Sequence, residues 1–268
     1  MEKVEFIIGP CVLESKDMAL DIAGKLVEDL APFADQIDLI FKASFNKANR
    51  TSVNSFRGFS MDQGLKIFEE VKSVYNIPTL TDYHLPDQAM ELASVVDYIQ
   101  VPAFLCRQTD MIVAGARACQ KYNRILNVKK GQFIAPHNTQ TIVDKTSGII
   151  EKSSVRLTER GTCFGYNNMI VDMASFKTMK ETGVKTIYDA THSVQLPGAS
   201  GSVTGAKRDQ IEVLARAAVA AGADGIFMEA HPNPSESKSD ATSIYELSKV
   251  KDFVEQLLSL YALRETWK

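Results

Sequence analysis

Eight times along this chain of 268 residues, a short apolar run ends in residues able to do chemistry. The ends read Gly9-Pro10-Cys11, Lys42, Asp82 with His84, Gln100, Lys129-Lys130, Glu159-Arg160, Asp189 with His192, and Glu229 with His231. Lys42, Lys47, Arg50, Arg57, Lys129, Lys130 and Arg160 all fall at or just after such ends. Cations gathered this way suit phosphate and carboxylate ligands, which arginine grips with two parallel hydrogen bonds and lysine meets as a point charge. Any one of these lysines is equally well explained as a solvated surface charge. Their shared position at strand ends is what makes them a pocket. No GxxxxGK[ST] sequence is present, so a phosphate loop for nucleotides is not supported.

A second set mixes thiol, imidazole and carboxylate. Cys11, His192, Glu229 and Asp240 follow runs one, seven, eight and eight. Together these groups suit a divalent ion such as zinc, iron(II) or manganese. Separately they say less: a lone cysteine is usually a buried small apolar group, and a lone histidine a core residue or an acid–base group. Only their coincidence on neighbouring ends brings a metal into view.

The elements that must position these residues follow from periodicity. Strand-like runs fall at Val4–Ile8, Leu39–Phe41, Thr79–Thr81, Tyr98–Val101, Ile125–Val128, Val155–Leu157, Thr186–Tyr188 and Gly225–Met228. They are short and nearly continuous in apolar character, as parallel strands buried on both faces are. Between them lie segments of helical spacing. Met18, Ile22, Leu26 and Leu30 recur every four residues, and Ile211, Leu214, Ala215 and Ala218 form a similar stripe. Ser15 and Asp17 are N-cap candidates, and Gly183 and Gly222 stand where helices should end. The pattern predicts an α/β fold, a single-domain (β/α)8 TIM barrel over residues 1–268, with its reactive side chains on the C-terminal rim. Leu196–Lys207, with Pro197, Gly198, Gly201 and Gly205, reads as a long mobile loop after strand seven. Pro232–Asp240 reads as a second loop, after strand eight.

Bulk properties exclude several classes. A net charge of −3 argues against nucleic-acid binding driven by overall charge. Four cysteines without close pairing point to a reducing compartment. The opening residues carry no secretory pattern and no apolar run approaches the length of a bilayer span, so no membrane partner and a cytoplasmic location are expected.

The longer motifs carry a resemblance. Residues 42–52 read KASFNKANRTS, and the likeness continues through Gly9-Pro10-Cys11 to Glu14-Ser15, QVPAFLCRQTD (100–110), NVKKGQ (127–132), TERGTCFGYNN (158–168), DATHSVQLPG (189–198) and FMEAHP (227–232). In this order, over essentially the whole chain, they resemble the 3-deoxy-D-manno-octulosonate 8-phosphate synthases (KDO8P synthases). That resemblance implies condensation of phosphoenolpyruvate with D-arabinose 5-phosphate and water, with release of phosphate. It implies phosphoenolpyruvate contacts from Lys42, Lys47, Gln100, Lys129 and Arg160, and sugar-phosphate contacts from Asn49, Arg50 and Ser52. Arg107 matches a residue contributed by a neighbouring subunit, which implies a homotetramer. Cys11, His192, Glu229 and Asp240 match the ligands of the metal-dependent branch, whose metal-independent sister has asparagine at the cysteine. Lys47, His192, Cys11 and Asp240 are the expected catalytic residues. The family role implied is a step towards the lipopolysaccharide core. Three rivals remain at this point. The sister synthase uses erythrose 4-phosphate, but usually has proline where Ala48-Asn49 stand. A Schiff-base aldolase would use Lys129 or Lys42 as its nucleophile. A non-catalytic barrel is the third, because fold alone never fixes function.

Overall fold

The computed structural model describes residues 2–50, 52–200 and 203–267. Eight parallel strands form a closed barrel: β1 (Val4–Gly9), β2 (Ile37–Lys42), β3 (Thr79–Asp82), β4 (Tyr98–Val101), β5 (Ile125–Lys129), β6 (Val155–Glu159), β7 (Lys185–Asp189) and β8 (Gly225–His231). They pair in chain order, and β8 returns to β1 with Ile7 opposite Phe227 and Gly9 opposite Glu229. A helix follows each strand: α1 (Lys16–Leu30), α2 (Met61–Tyr75), α3 (Gln88–Val95), α4 (Thr109–Tyr122), α5 (Gln140–Asp144), α6 (Ser175–Lys180), α7 (Ile211–Ala221) and α8 (Val250–Glu265). All eight expected strands are present. Several run past their expected ends into the charged residues.

Alternation along the strands separates two cores. Phe6, Ile8, Leu157, Tyr188, Ile226 and Met228 join the large cluster packed between sheet and helices. Ile7, Ile40, Leu80, Ile187 and Phe227 form a separate cluster inside the barrel, with Tyr98 against it. This inner layer is an apolar plug. One pleat period further along the same strands stand Gly9, Lys42, Asp82, Gln100, Asp189 and Glu229. The floor of the site is therefore the next inward layer above the plug. Gly9 is required there by close approach: a Cβ at that position would collide with the carbonyl oxygen of Lys42.

Local signals place the helices. Ser15 caps α1 by accepting from the Met18 amide at 3.1 Å, while Asp17 lies inside the first turn. Gly222 ends α7 with φ +114°, as expected of a glycine stop. The segment Leu196–Lys207 is more regular than expected. Its described part is an antiparallel ribbon of Gln195–Ser200 with Val203–Ala206, Leu196 lying opposite Gly205. Gly201 and Ser202 lie outside the described residues. Small residues hide the alternation, and the ladder shifts between Leu196 and Ser200, where Pro197 needs no partner for a missing N–H. Pro232–Asp240 carries a short 3-10 turn, Pro234–Glu236. No helix among the described residues is long and apolar enough to cross a membrane.

Candidate active site

A cavity of about 1080 Å³ opens at the C-terminal ends of the strands. Lys42, Lys47, Asn49, Arg50, Ser52, Gln100, Lys129, Arg160, His192, Glu229 and Asp240 all line it. Cys11 lies just behind the wall, 1% exposed, with its thiol donating to Asp240 Oδ2 at 3.1 Å. Arg107 does not line this cavity; it is exposed, just beyond the turn Ala103–Leu105. Two cations expected in the pocket stand elsewhere. Lys130 follows Lys129 on the chain, so alternation turns it away, and its ammonium is buried against Thr162 Oγ1 at 3.1 Å. Arg57 instead ties down the loop after β2, its Nε donating to the Lys47 carbonyl at 3.0 Å.

The cations that do line the cavity are deep and partnered. Lys42 Nζ donates to Glu229 Oε1 at 2.5 Å and to the Cys11 carbonyl at 2.9 Å. Lys129 is bonded to Asp189 and rests 3.1 Å from the centroid of the Phe227 ring. Arg160 Nη2 donates to Gln195 Oε1 at 2.9 Å and to the His192 carbonyl at 3.2 Å. Arg50 is held nearer the rim by Ser239 Oγ at 2.5 Å and the Lys238 carbonyl at 3.0 Å. Their electrostatics differ. Burial alone would lower Lys47, but Cys11 and the carboxylates of Glu229, Asp82 and Asp240 raise it well above the ordinary lysine value. Lys129 goes the other way: burial pushes it down to about 8, helped by Lys42 and opposed by Asp189.

The sulfur and oxygen donors of Cys11, Glu229 and Asp240 lie within 4.8 Å of one another. His192 Nε2 joins them, 3.5 Å from Glu229 Oε1 and 3.7 Å from Asp240 Oδ2. Such spacings suit donors bound ~2.0–2.3 Å from a common ion. Two further observations fit a cation. His192 Nδ1 is bonded to Asp189 Oδ2 at 2.8 Å, and donation from Nδ1 to that carboxylate leaves Nε2, which faces the other donors, as the nitrogen to bind a cation. Glu229 Oε2 is buried without a hydrogen-bond partner among the described residues. Burial, with Asp240 and Glu229, pushes the Cys11 thiol well above its ordinary value. A bound cation would reverse that and hold the thiolate. Asp240 itself takes φ +53°, a left-handed conformation that aspartate tolerates better than most residues.

Several contributors were given no role in the sequence reading. Phe227 supplies the aromatic face under Lys129, and Gln195 and Ser239 steady the two arginines. Asp189, already named as a strand end with His192, is the one whose role its spacing of three residues before His192 could have shown.

Similarity to known proteins places the chain in a family. A family model described as the DAHP synthetase I family matches residues 2–264. A protein from Francisella tularensis subsp. holarctica (strain LVS), named 2-dehydro-3-deoxyphosphooctonate aldolase, is 48% identical over 252 residues, covering 94% of this chain and 89% of that protein. A protein of the same name from Burkholderia mallei (strain SAVP1) is 47% identical over 267 residues, covering 97% and 92%. The chain belongs to the DAHP synthetase I family.

Proposed function

We propose that this protein is a 2-dehydro-3-deoxyphosphooctonate aldolase, a KDO8P synthase. It would condense phosphoenolpyruvate with D-arabinose 5-phosphate and water, giving 3-deoxy-D-manno-octulosonate 8-phosphate and phosphate. The observation that carries the reading is one cavity holding two sets of anion-binding groups, a buried one around Lys42, Lys129 and Arg160 and a more exposed one around Asn49, Arg50 and Ser52. Erythrose 4-phosphate is the less favoured sugar, because Ala48-Asn49 stand where the sister synthases usually have proline, and the similar proteins above carry the octulosonate name.

Two multiply charged anions repel in water, and a cationic cavity offsets that repulsion. Lys42, Lys129, Arg160 and Gln100 would hold the carboxylate and phosphate of phosphoenolpyruvate against the Phe227 floor. Asn49, Arg50 and Ser52 would hold the sugar phosphate, placing the aldehyde carbon over C3 of the enol. Holding the two carbons together is worth up to about 7–11 kcal/mol in good cases. Lys47, cationic throughout the working pH range, stands where negative charge develops on the aldehyde oxygen. Water then adds at C2, and phosphate leaves by cleavage of its C–O bond. Cys11, His192, Glu229 and Asp240 would hold a divalent ion, whose contribution is to orient and polarise the aldehyde. The same reading includes a homotetramer in which Arg107 reaches a neighbour's sugar phosphate. It also includes a cytoplasmic location and a product destined for lipopolysaccharide core.

Phosphate release from the two substrates tests the assignment, measured on chelator-treated protein with and without added divalent metal. Activity lost on treatment and regained with metal is the expected result. Full activity without metal would keep the reaction and remove the metal's role; no activity in either case, but turnover with erythrose 4-phosphate, would move the chain to the sister reaction.

A pH effect follows from Lys129. With its pKa near 8 in the free cavity, it gives up its proton as pH climbs through that value, and a cation is lost from the phosphoenolpyruvate site. Bound anion pulls the proton back, so KM for phosphoenolpyruvate is expected to rise roughly tenfold between about pH 7 and pH 9.5. Lys129→Arg, charged throughout, should flatten that rise. An equally steep rise in the arginine variant would assign the effect to another group.

A further inference from the structure

A line of hydrogen bonds crosses four adjacent strands just below the cavity. Thr158 Oγ1 donates to Asn127 Oδ1 at 2.7 Å. Asn127 Nδ2 donates to Gln100 Oε1 at 2.7 Å. Gln100 Nε2 donates to Asp82 Oδ1, and Ser44 Oγ closes the line by donating to Asp82 Oδ2 at 2.6 Å. Asp82 is paired with Gln100 across β3 and β4, and Gln100 with Asn127 across β4 and β5. Asn127 and Thr158 are fully buried and touch no part of the cavity, whereas Gln100 and Asp82 line it.

The direction of this line is not arbitrary. An ionised carboxylate only accepts, and Asp82 lies among Lys42, Lys47 and the Ser44 hydroxyl, which keep it ionised. Gln100 must therefore turn its NH2 towards Asp82 and its oxygen towards Asn127. Asn127 must then turn its own NH2 towards Gln100, which leaves its oxygen for the Thr158 hydroxyl. Each amide has two orientations that differ by a half-turn, and the wrong one at any link sets like against like in a buried site. In the observed orientation one N–H of Gln100 Nε2 is spent on Asp82 and the second remains for a ligand in the cavity.

We propose that Asn127 and Thr158 are positioning residues for phosphoenolpyruvate, locking the Gln100 carboxamide so that its second N–H faces the bound anion. This rests on the assignment above, in which Gln100 contacts phosphoenolpyruvate. Neither residue touches substrate. Asp82 sets that direction, and Asn127 and Thr158 hold the carboxamide in it by satisfying the oxygens that Gln100 and then Asn127 turn away from the carboxylate.

Thr158→Val and Thr158→Ser separate this role from packing. Valine preserves the shape of threonine and loses the hydroxyl; serine keeps the hydroxyl and loses a buried methyl. If Thr158 only fills space, valine is the milder change. The relay requires the opposite order. Thr158→Val is expected to raise KM for phosphoenolpyruvate about tenfold, roughly the worth of one buried hydrogen bond, with KM for arabinose 5-phosphate within about twofold of the unaltered protein. Thr158→Ser should stay within about threefold for both substrates, although it loses some stability with the buried methyl. Serine as impaired as valine, an unaffected valine variant, or equal shifts in both KM values would each overturn the relay. Absence of turnover in the unaltered protein would sink the assignment as well as the relay; turnover without the valine–serine difference would sink the relay alone.

Discussion

Lys47→Met should lower kcat by about 10²–10³-fold, the cost of removing a preorganised donor aimed at developing negative charge. The residue is 9% exposed, and its ammonium stands 3.9 Å from Glu229 Oε1 with Asp82 and Asp240 nearby. Methionine keeps most of the length and volume, so the loss is chiefly one of charge. Two effects then add. The developing alkoxide loses its counter-charge, and the carboxylates that Lys47 had offset now face two incoming anions. The first acts on kcat, the second on both KM values. Because its neighbours hold Lys47 well above the ordinary lysine value, the alkaline limb of the unaltered protein should not report this residue. Steady-state rates for both substrates, with circular dichroism to establish folding, provide the check. A variant retaining more than about a tenth of kcat would remove Lys47 from the chemistry and leave it a role in binding alone.

Much of this site is legible in the sequence because a barrel converts position along a strand into position on a rim. Lys42, Gln100, Lys129 and Glu229 each stand at or near the C-terminal end of a strand, one inward step above the apolar plug of Ile40, Tyr98 and Phe227. A reader of the chain needs only the strand and its end. Neighbours on one strand end are harder. Lys129 and Lys130 look alike as letters, yet a period of two sends one into the cavity and the other into the wall. Pairings between distant segments leave no local trace at all. Arg50 meets Ser239, and Thr158 meets Asn127, through barrel closure and strand pairing, and no spacing in the sequence reports either contact. The ribbon at Gln195–Ala206 was hidden for a different reason. Its small residues carry little strand propensity, and its register rests on few pairings.

The opposite end of the barrel should respond to substitution in stability and not in rate. Below the apolar plug, Arg156 donates through Nε to Glu5 Oε1 at 2.9 Å and Oε2 at 3.0 Å, and through Nη2 to Oε1 at 2.7 Å. Glu5 is 2% and Arg156 6% exposed, so this pair closes the floor of the barrel from across its interior. Arg156→Ala leaves the Glu5 carboxylate buried, with Lys185 Nζ at 3.4 Å as its remaining cation. Breaking one side of a buried pair costs about 3–5 kcal/mol, and Lys185 places this case towards the lower figure. At roughly 2–4 °C per kcal/mol for a chain of this size, the melting temperature should fall by about 6–12 °C. Replacing both partners, as Glu5→Met with Arg156→Met, should recover most of that loss, because the penalty belongs to the stranded charge and not to the absent bond. Rates per folded molecule at room temperature should stay within about twofold in all three variants, since the plug of Ile7, Ile40, Leu80, Ile187 and Phe227 lies between this pair and the cavity. A large fall in kcat for Arg156→Ala without a fall in melting temperature would mean that the floor communicates with the rim through the plug. The separation of a stability face from a chemical face would then fail for this barrel.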